Sequence, residues 1–137
     1  MFNQVNGWSS HALAALRIVS GLLFLAHGVV KVFGFPAGAE PGQQELLSLF
    51  GIGGLIELVT GLLLILGLFT RPAALIASGQ MAVAYWMFHA PDSPYPILNG
   101  GDTPILYCFV FLLLVFTGPG AWSVDGLLTG RDTRKPA

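Results

Sequence analysis

The sequence has 137 residues, of which 54% are hydrophobic and only 9% are charged. Soluble domains carry roughly a quarter charged residues, so the composition excludes a large aqueous domain. Six Lys and Arg against seven Asp and Glu give a net charge of -1, which leaves no basic excess for nucleic-acid phosphates and argues against nucleic-acid binding.

The apolar residues fall into four runs, and a membrane-spanning helix needs about 20 mostly apolar residues. The runs cover about residues 13–32, 46–69, 72–89 and 104–117, and breaks rich in Gly and Pro separate them. Because the fourth run is short, we expect it to tilt or to begin as early as Ile97. We therefore predict an all-α polytopic membrane protein: a bundle of four transmembrane helices in one domain (1–130), followed by a polar tail (131–137).

Four spans place both termini and the loop at residue 71 on the same side of the membrane. Four of the six basic residues lie on that side, namely Arg71, Arg131, Arg134 and Lys135, whereas only Lys31 flanks the other two loops. Lys and Arg are enriched on the cytoplasmic side of membrane proteins. We predict that both termini are cytoplasmic and that the lipid bilayer is the chain's main environment.

Polar residues in the first two runs gather on inward faces. At about 100° per residue, Arg17, His27 and Lys31 share an arc of about 80° on the first helix. Glu57 lies near the middle of the second run, on one face with Gly53, Gly54 and Gly61. Small residues let helix backbones approach, so this face is predicted to point into the bundle.

Later polar residues are expected to meet this face in the outer half of the bundle. Tyr85 and His89 are four residues apart and so share one stripe of the third helix. Asn99 and Asp102 precede the fourth helix and can fold over the same half. We predict a polar pocket that opens outward.

Each buried charge also has a structural interpretation. A charged side chain at mid-bilayer costs several kcal/mol unless it is paired or protonated, which makes Glu57 the strongest functional candidate. An ion pair with Lys31 or a hydrogen bond to Tyr85 would instead only rigidify the bundle. For Arg17, which lies near the cytoplasmic end, we favour a structural ion pair with Asp125 that ties the chain ends together.

Several motifs follow one another in a recognisable order. They are Arg17 with Leu23-Phe24-Leu25-Ala26-His27-Gly28 and Lys31, then Gly54-Leu55-Ile56-Glu57, Gly67-Leu68-Phe69-Thr70-Arg71-Pro72, Ala84-Tyr85 with His89, Asn99-Gly100-Gly101-Asp102, and Gly118-Pro119-Gly120-Ala121-Trp122-Ser123-Val124-Asp125. From about residue 14 to 127 the sequence resembles the DoxX family of small four-helix membrane proteins.

The resemblance implies a bacterial or archaeal protein of the cytoplasmic membrane, of a kind usually assigned to oxidoreductase systems. One branch of the family is a subunit of thiosulfate:quinone oxidoreductase. The family is also similar in helical architecture to vitamin K epoxide reductase, whose quinone chemistry uses a cysteine pair. Here Cys108 stands alone, so no dithiol relay is expected. Asp102 stands where many relatives have Glu, and keeps the carboxylate.

Our leading hypothesis is a quinone-binding membrane component of an oxidoreductase system, either an enzyme itself or a subunit of one. Reduction of a quinone needs two protons, and a histidine beside a buried carboxylate can relay them. The residues predicted to act catalytically are Glu57, His27 and His89, and those predicted to bind the ligand are Lys31, Tyr85, Asn99 and Asp102. No electron carrier is evident in the sequence, so a redox partner protein is expected.

Other functions stay open. The first alternative is a non-catalytic scaffold or assembly subunit, in which the glycine-rich second helix forms a homo-oligomer or a docking surface. A less favoured one is haem or metal ligation by His27 and His89, although we assign no metal site. Transport ranks last because four spans make only a small pathway.

Overall fold

The computed structural model describes residues 2–130, and all regular secondary structure within that range is helical. The helices are α1 (Phe2–Asn6), α2 (Ser9–Phe33), α3 (Leu49–Leu66), α4 (Thr70–Ala84), α5 (Pro96–Asn99), α6 (Asp102–Thr117) and α7 (Val124–Leu128). A π-helical turn (Tyr85–His89) continues α4. The all-α prediction is confirmed for this range. The predicted tail and its basic residues Arg131, Arg134 and Lys135 lie outside the described residues.

Capping residues set the ends of α3, which is shorter than its apolar run. The Ser48 hydroxyl accepts a hydrogen bond from the Gly51 amide at 3.0 Å and so begins the helix. Gly67 adopts the left-handed conformation at the other end, with φ 66°. Apolar residues on either side, such as Leu47 and Phe69, therefore belong to the connections.

The four long helices pack in two pairs. The helix α2 lies along α3 and α4 lies along α6, whereas α3 joins the pairs by packing on α4. Contact between α2 and α6 is sparse. Buried side chains at the centre include Phe24, Leu64, Phe111 and Leu114, with small alanines from α4 filling the narrow spaces between them.

Glycines bring the backbones of α2 and α3 into direct contact. A Cβ atom added at Gly28 would lie 2.7 Å from the Leu58 nitrogen and 2.8 Å from the Gly54 oxygen. Gly61 lies equally close to the backbone of α2, further toward the C-terminal end of α3. Gly53, which the sequence pattern groups with Gly61, faces α4 instead, because one residue along a helix turns its side by about 100°.

Arg17 ties together the end of the bundle where α2 begins and the segment after α6 returns. Its guanidinium is fully buried and donates only to backbone carbonyl oxygens. The acceptors and distances are Pro119 (2.7 Å), Leu64 (2.7 Å), Ile65 (2.9 Å), Ala121 (2.9 Å) and Trp122 (3.0 Å). One side chain thus joins α2, the end of α3 and the segment after α6.

Asp125 makes a different contact from the one predicted. Its carboxylate accepts from the amides of Phe69 and Thr70, both at 2.9 Å, at the N-terminus of α4. Asp125 and Arg17 make no N···O contact within 4.0 Å in the described range, so the predicted ion pair is wrong. The carbonyls occupy the donors of the guanidinium, and the helix dipole favours the carboxylate at α4.

Candidate functional site

A buried ion pair joins α2 to α3. The Lys31 Nζ atom donates to Glu57 Oε1 at 2.6 Å, and the two side chains are 14% and 2% exposed, respectively. The close glycine contact between the helices brings the base of Lys31 against Gly54, one turn from Glu57. This pair is one of the two structural alternatives that the sequence left open for Glu57.

Gln80 of α4 also contacts this ion pair. The sequence analysis did not identify Gln80. Its Nε2 atom donates to Glu57 Oε1 at 3.2 Å and to the Gly53 carbonyl at 3.1 Å. The sequence does show one sign of this role, since Gln80 is an amide side chain within an apolar run. It was passed over because Gln80 lies on a different face of the helix from Tyr85 and His89. We call Lys31, Glu57 and Gln80 the central polar cluster.

Two acceptor atoms of the central polar cluster are buried without a hydrogen-bond partner in the described part of the chain: Glu57 Oε2 and Gln80 Oε1. A buried acceptor left without a donor costs roughly 1–3 kcal/mol. The cluster therefore keeps hydrogen-bonding capacity that its own side chains do not use.

An aromatic group lies between α2 and α6. The Tyr107 ring lies 5.5 Å from the ring of Phe24 and 5.5 Å from that of Phe111, centroid to centroid. The sequence analysis missed Tyr107 as well, because an aromatic residue in an apolar run has the pattern of an ordinary core residue.

His27 lies at the edge of this aromatic group. Its ring meets that of Tyr107 edge-on at 6.1 Å, and its side chain is exposed on α2. It lines a cleft of about 490 Å³ whose other walls are apolar residues of α2 and the loop at Phe35 and Glu40. His27 is therefore at the surface of the helix pair and outside the central polar cluster.

A second polar group forms at the loop end of α4. The His89 Nδ1 atom donates to the Asn99 carbonyl at 2.9 Å, and its ring stacks on Tyr85 at 6.5 Å. The Asn99 amide donates to the Ser93 carbonyl at 2.8 Å and makes a long contact of 3.5 Å to the Tyr85 hydroxyl. Tyr85 and His89 bound the π-helical turn, a geometry frequent at functional sites.

Asp102 lies apart from both groups. It is exposed at the first position of α6, and within residues 2–130 its carboxylate accepts no hydrogen bond. The predicted site residues thus fall into separate places: Lys31 with Glu57, His27 beside the aromatic group, Tyr85 with His89 and Asn99, and Asp102 alone.

Metal ligands do not gather in the range that the structure describes. No three His, Cys, Asp or Glu side chains among those residues are placed to hold a metal ion. His27 and His89 belong to different groups, and the Nδ1 atom of His89 already has a backbone partner.

Comparison with known proteins assigns the chain to a family. The DoxX family model matches residues 12–90, which is more than half of the chain and includes the whole central polar cluster. The chain belongs to the DoxX family. No solved structure matches it.

Relatives of this DoxX protein match it over most of their length. An uncharacterized protein of Haemophilus influenzae is 40% identical over 127 residues, which cover 90% of this chain and 95% of the relative. The inner membrane protein YqjF of Escherichia coli is 30% identical over 128 residues, or 82% of this chain and 88% of its own. An uncharacterized membrane protein of Mycobacterium tuberculosis is 27% identical over 138 residues, covering 89% and 84%. These similarities make the chain a DoxX-family membrane protein.

Among residues 2–130 of this DoxX protein, two helices are long and apolar enough to cross a membrane, α2 with 25 residues and α3 with 18. The apolar helix α6 is shorter, with 16 residues. The central polar cluster lies on the two long helices and α4.

Proposed function

We propose that this DoxX protein is an integral component of a quinone-linked oxidoreductase system in the bacterial or archaeal cytoplasmic membrane. The quinone head group binds at the central polar cluster. The observation that carries the proposal is Glu57 Oε2, a carboxylate oxygen buried in an apolar helix with no partner in the described chain. Intramembrane ionisable residues typically mark ligand or proton pathways.

Each residue of the cluster has a distinct role in this proposal. Lys31 neutralises the Glu57 carboxylate, so that the carboxylate can stay buried. Gln80 fixes its orientation through Oε1, which leaves Oε2 to receive a proton or a hydroxyl group. A bound quinone supplies two-electron, two-proton chemistry, and the electrons come from or go to a redox partner protein.

Residues around the cluster extend it. His27, at the edge of the aromatic group, can carry protons between the bundle and its surface. Tyr85 and His89 form a second group that can accept and release protons at the loop end of α4. Asp102 adds a carboxylate at the outer entrance.

The proposal includes a membrane topology. The four crossing segments are α2, α3, α4 with its π-helical turn, and α6, and both termini are cytoplasmic. The rings of Trp8 and Trp122 each lie 5.0 Å from His11, which supports a shared interface at the end with the chain termini. Tryptophan is enriched at such interfaces.

Quinone binding to the purified protein in lipid nanodiscs tests the function. The hydroquinone form of a short-tailed quinone should bind the wild type, and Glu57→Gln should weaken this binding about tenfold, because a hydrogen bond to a charged group is worth about 1.5–3 kcal/mol. Gln80→Met should also weaken it, whereas Glu45→Gln in the exposed loop is the matched control. If the wild type binds neither the oxidised nor the reduced form, the proposal is wrong.

The ion pair itself supports a second candidate, a non-catalytic scaffold or assembly subunit. Lys31 and Glu57 join two helices directly, and such a contact can serve only to hold the bundle together. In that case Glu57→Gln lowers thermal stability and the recovery of partner proteins or of a homo-oligomer. Quinone would then bind neither the wild type nor the variant.

A further inference from the structure

We propose that the central polar cluster prefers the reduced, hydroxyl-bearing form of a lipid-dissolved quinone, the hydroquinone, over the oxidised form. This inference rests on the proposed function and adds which chemical form of the ligand the site holds. Its basis is the polarity of the atoms that the cluster leaves unpaired.

The orientation of the Gln80 amide is fixed by its neighbours. Its Nε2 atom lies 3.1 Å from the Gly53 carbonyl oxygen and 3.2 Å from Glu57 Oε1, both of which only accept. A flipped amide would place Oε1 against two acceptors, so the assignment follows from the hydrogen-bond network. Gln80 Oε1 therefore points away from both and needs a donor.

The second unpaired atom has the same polarity. Glu57 is in an ion pair with Lys31, and a carboxylate in an ion pair carries only lone pairs. Glu57 Oε2 and Gln80 Oε1 are therefore two buried acceptors without donors in the described chain. A ligand that carries hydroxyl groups satisfies them, whereas the carbonyl oxygens of an oxidised quinone place lone pairs against lone pairs.

The charge of the cluster favours a neutral donor over a cation. The Lys31 ammonium at 2.6 Å already balances the Glu57 carboxylate, so a second positive charge would be repelled. Lys31 is itself 14% exposed, and its remaining N–H groups can reach water or lipid head groups along its long stem. The buried atoms of the site that still lack a hydrogen-bond partner are therefore acceptors.

Binding of three matched probes in nanodiscs tests the preference: a short-tailed quinone, its hydroquinone kept reduced under anaerobic conditions, and the dimethyl ether of that hydroquinone, which has no donor. We expect the wild type to bind the hydroquinone about tenfold more tightly than either other probe, the equivalent of one good hydrogen bond. Gln80→Met removes one acceptor and should reduce this ratio. Glu57→Gln replaces an acceptor by an amide that can donate, and should reduce or invert it.

The exposed loop amide Gln43 provides the matched control, since Gln43→Met makes the same chemical change away from the cluster. Equal or tighter binding of the oxidised form or the ether to the wild type overturns the preference and leaves the proposed function standing. A preference that persists unchanged in both Gln80→Met and Glu57→Gln also overturns it. Absence of binding by all three probes refutes the proposed function itself.

Discussion

One ammonium and one carboxylate between α2 and α3 account for much of the polarity inside the bundle. A lone charge in a bilayer is costly, but Lys31 and Glu57 neutralise each other at 2.6 Å, and Gln80 adds a hydrogen bond. Either charge would be costly to bury by itself. Each therefore depends on the other for its place in the structure.

This dependence predicts strong coupling in a double-mutant cycle. Lys31→Met and Glu57→Leu should each destabilise the protein by about 3–5 kcal/mol, because each leaves an uncompensated buried charge. The double variant should lose much less than the sum of the two. Unfolding in mixed detergent micelles measures the free energies, with the exposed-loop variant Glu45→Gln as the control. Simple additivity would show that the two charges do not interact.

Sequence periodicity could predict that Lys31 and Glu57 point inward, but it grouped the exposed His27 with them and did not identify all of their partners. Lys31 and Glu57 both lie on faces that the helical repeat marks as internal, and their pairing was one of two alternatives. Gln80 could not be found in this way, because its contact depends on how α4 packs against α3. Arg17 shows the same limit, since its backbone carbonyl partners leave no signature in the sequence.

At the level of helices, α2 and α3 pack closely against each other. Their glycines place backbone against backbone, so even one methyl group has no space at Gly28. In a membrane, where apolar side chains gain little by leaving lipid, close contact of this kind is a main source of helix association.

A pair of Gly→Ala variants separates packing from helix propensity. Gly28→Ala should destabilise the protein by about 1–3 kcal/mol, because the new methyl group must push the helices apart. Gly79→Ala on α4 meets no atom within 4 Å and should be neutral or stabilising, since Ala favours helix over Gly by about 1 kcal/mol. Detergent unfolding of both variants measures this difference. Equal effects would refute the packing interpretation.

Apolar runs locate the helices but do not set their ends or their faces. The ends of α3 follow from the cap at Ser48 and the left-handed Gly67. Gly54 contacts α2 and Gly53 does not, and this difference corresponds to the rotation of about 100° between neighbouring residues of a helix. The π-helical turn at Tyr85 has no counterpart in the apolar pattern.

For the molecule as a whole, the proposed topology is open to direct measurement. Ala37 lies in the loop after α2, and Thr129 lies near the end of the described chain, and both are exposed. In a Cys108→Ser background, a membrane-impermeant maleimide should label Ala37→Cys in intact spheroplasts. Thr129→Cys should be labelled only after permeabilisation. Labelling in the opposite order would reverse the topology, and equal labelling before permeabilisation would exclude an odd number of crossings between them.

The contacts of Arg17 also bear on the order in which the protein is assembled during synthesis. Three of its carbonyl acceptors follow it by 102, 104 and 105 residues, so they emerge from the ribosome long after α2 is complete. Until then the guanidinium has to find other acceptors, such as water and lipid phosphates at the bilayer surface. The set of five carbonyl bonds around Arg17 is therefore completed only after the segment from Pro119 to Trp122 has been synthesised, and products that end before Pro119 lack three of these bonds.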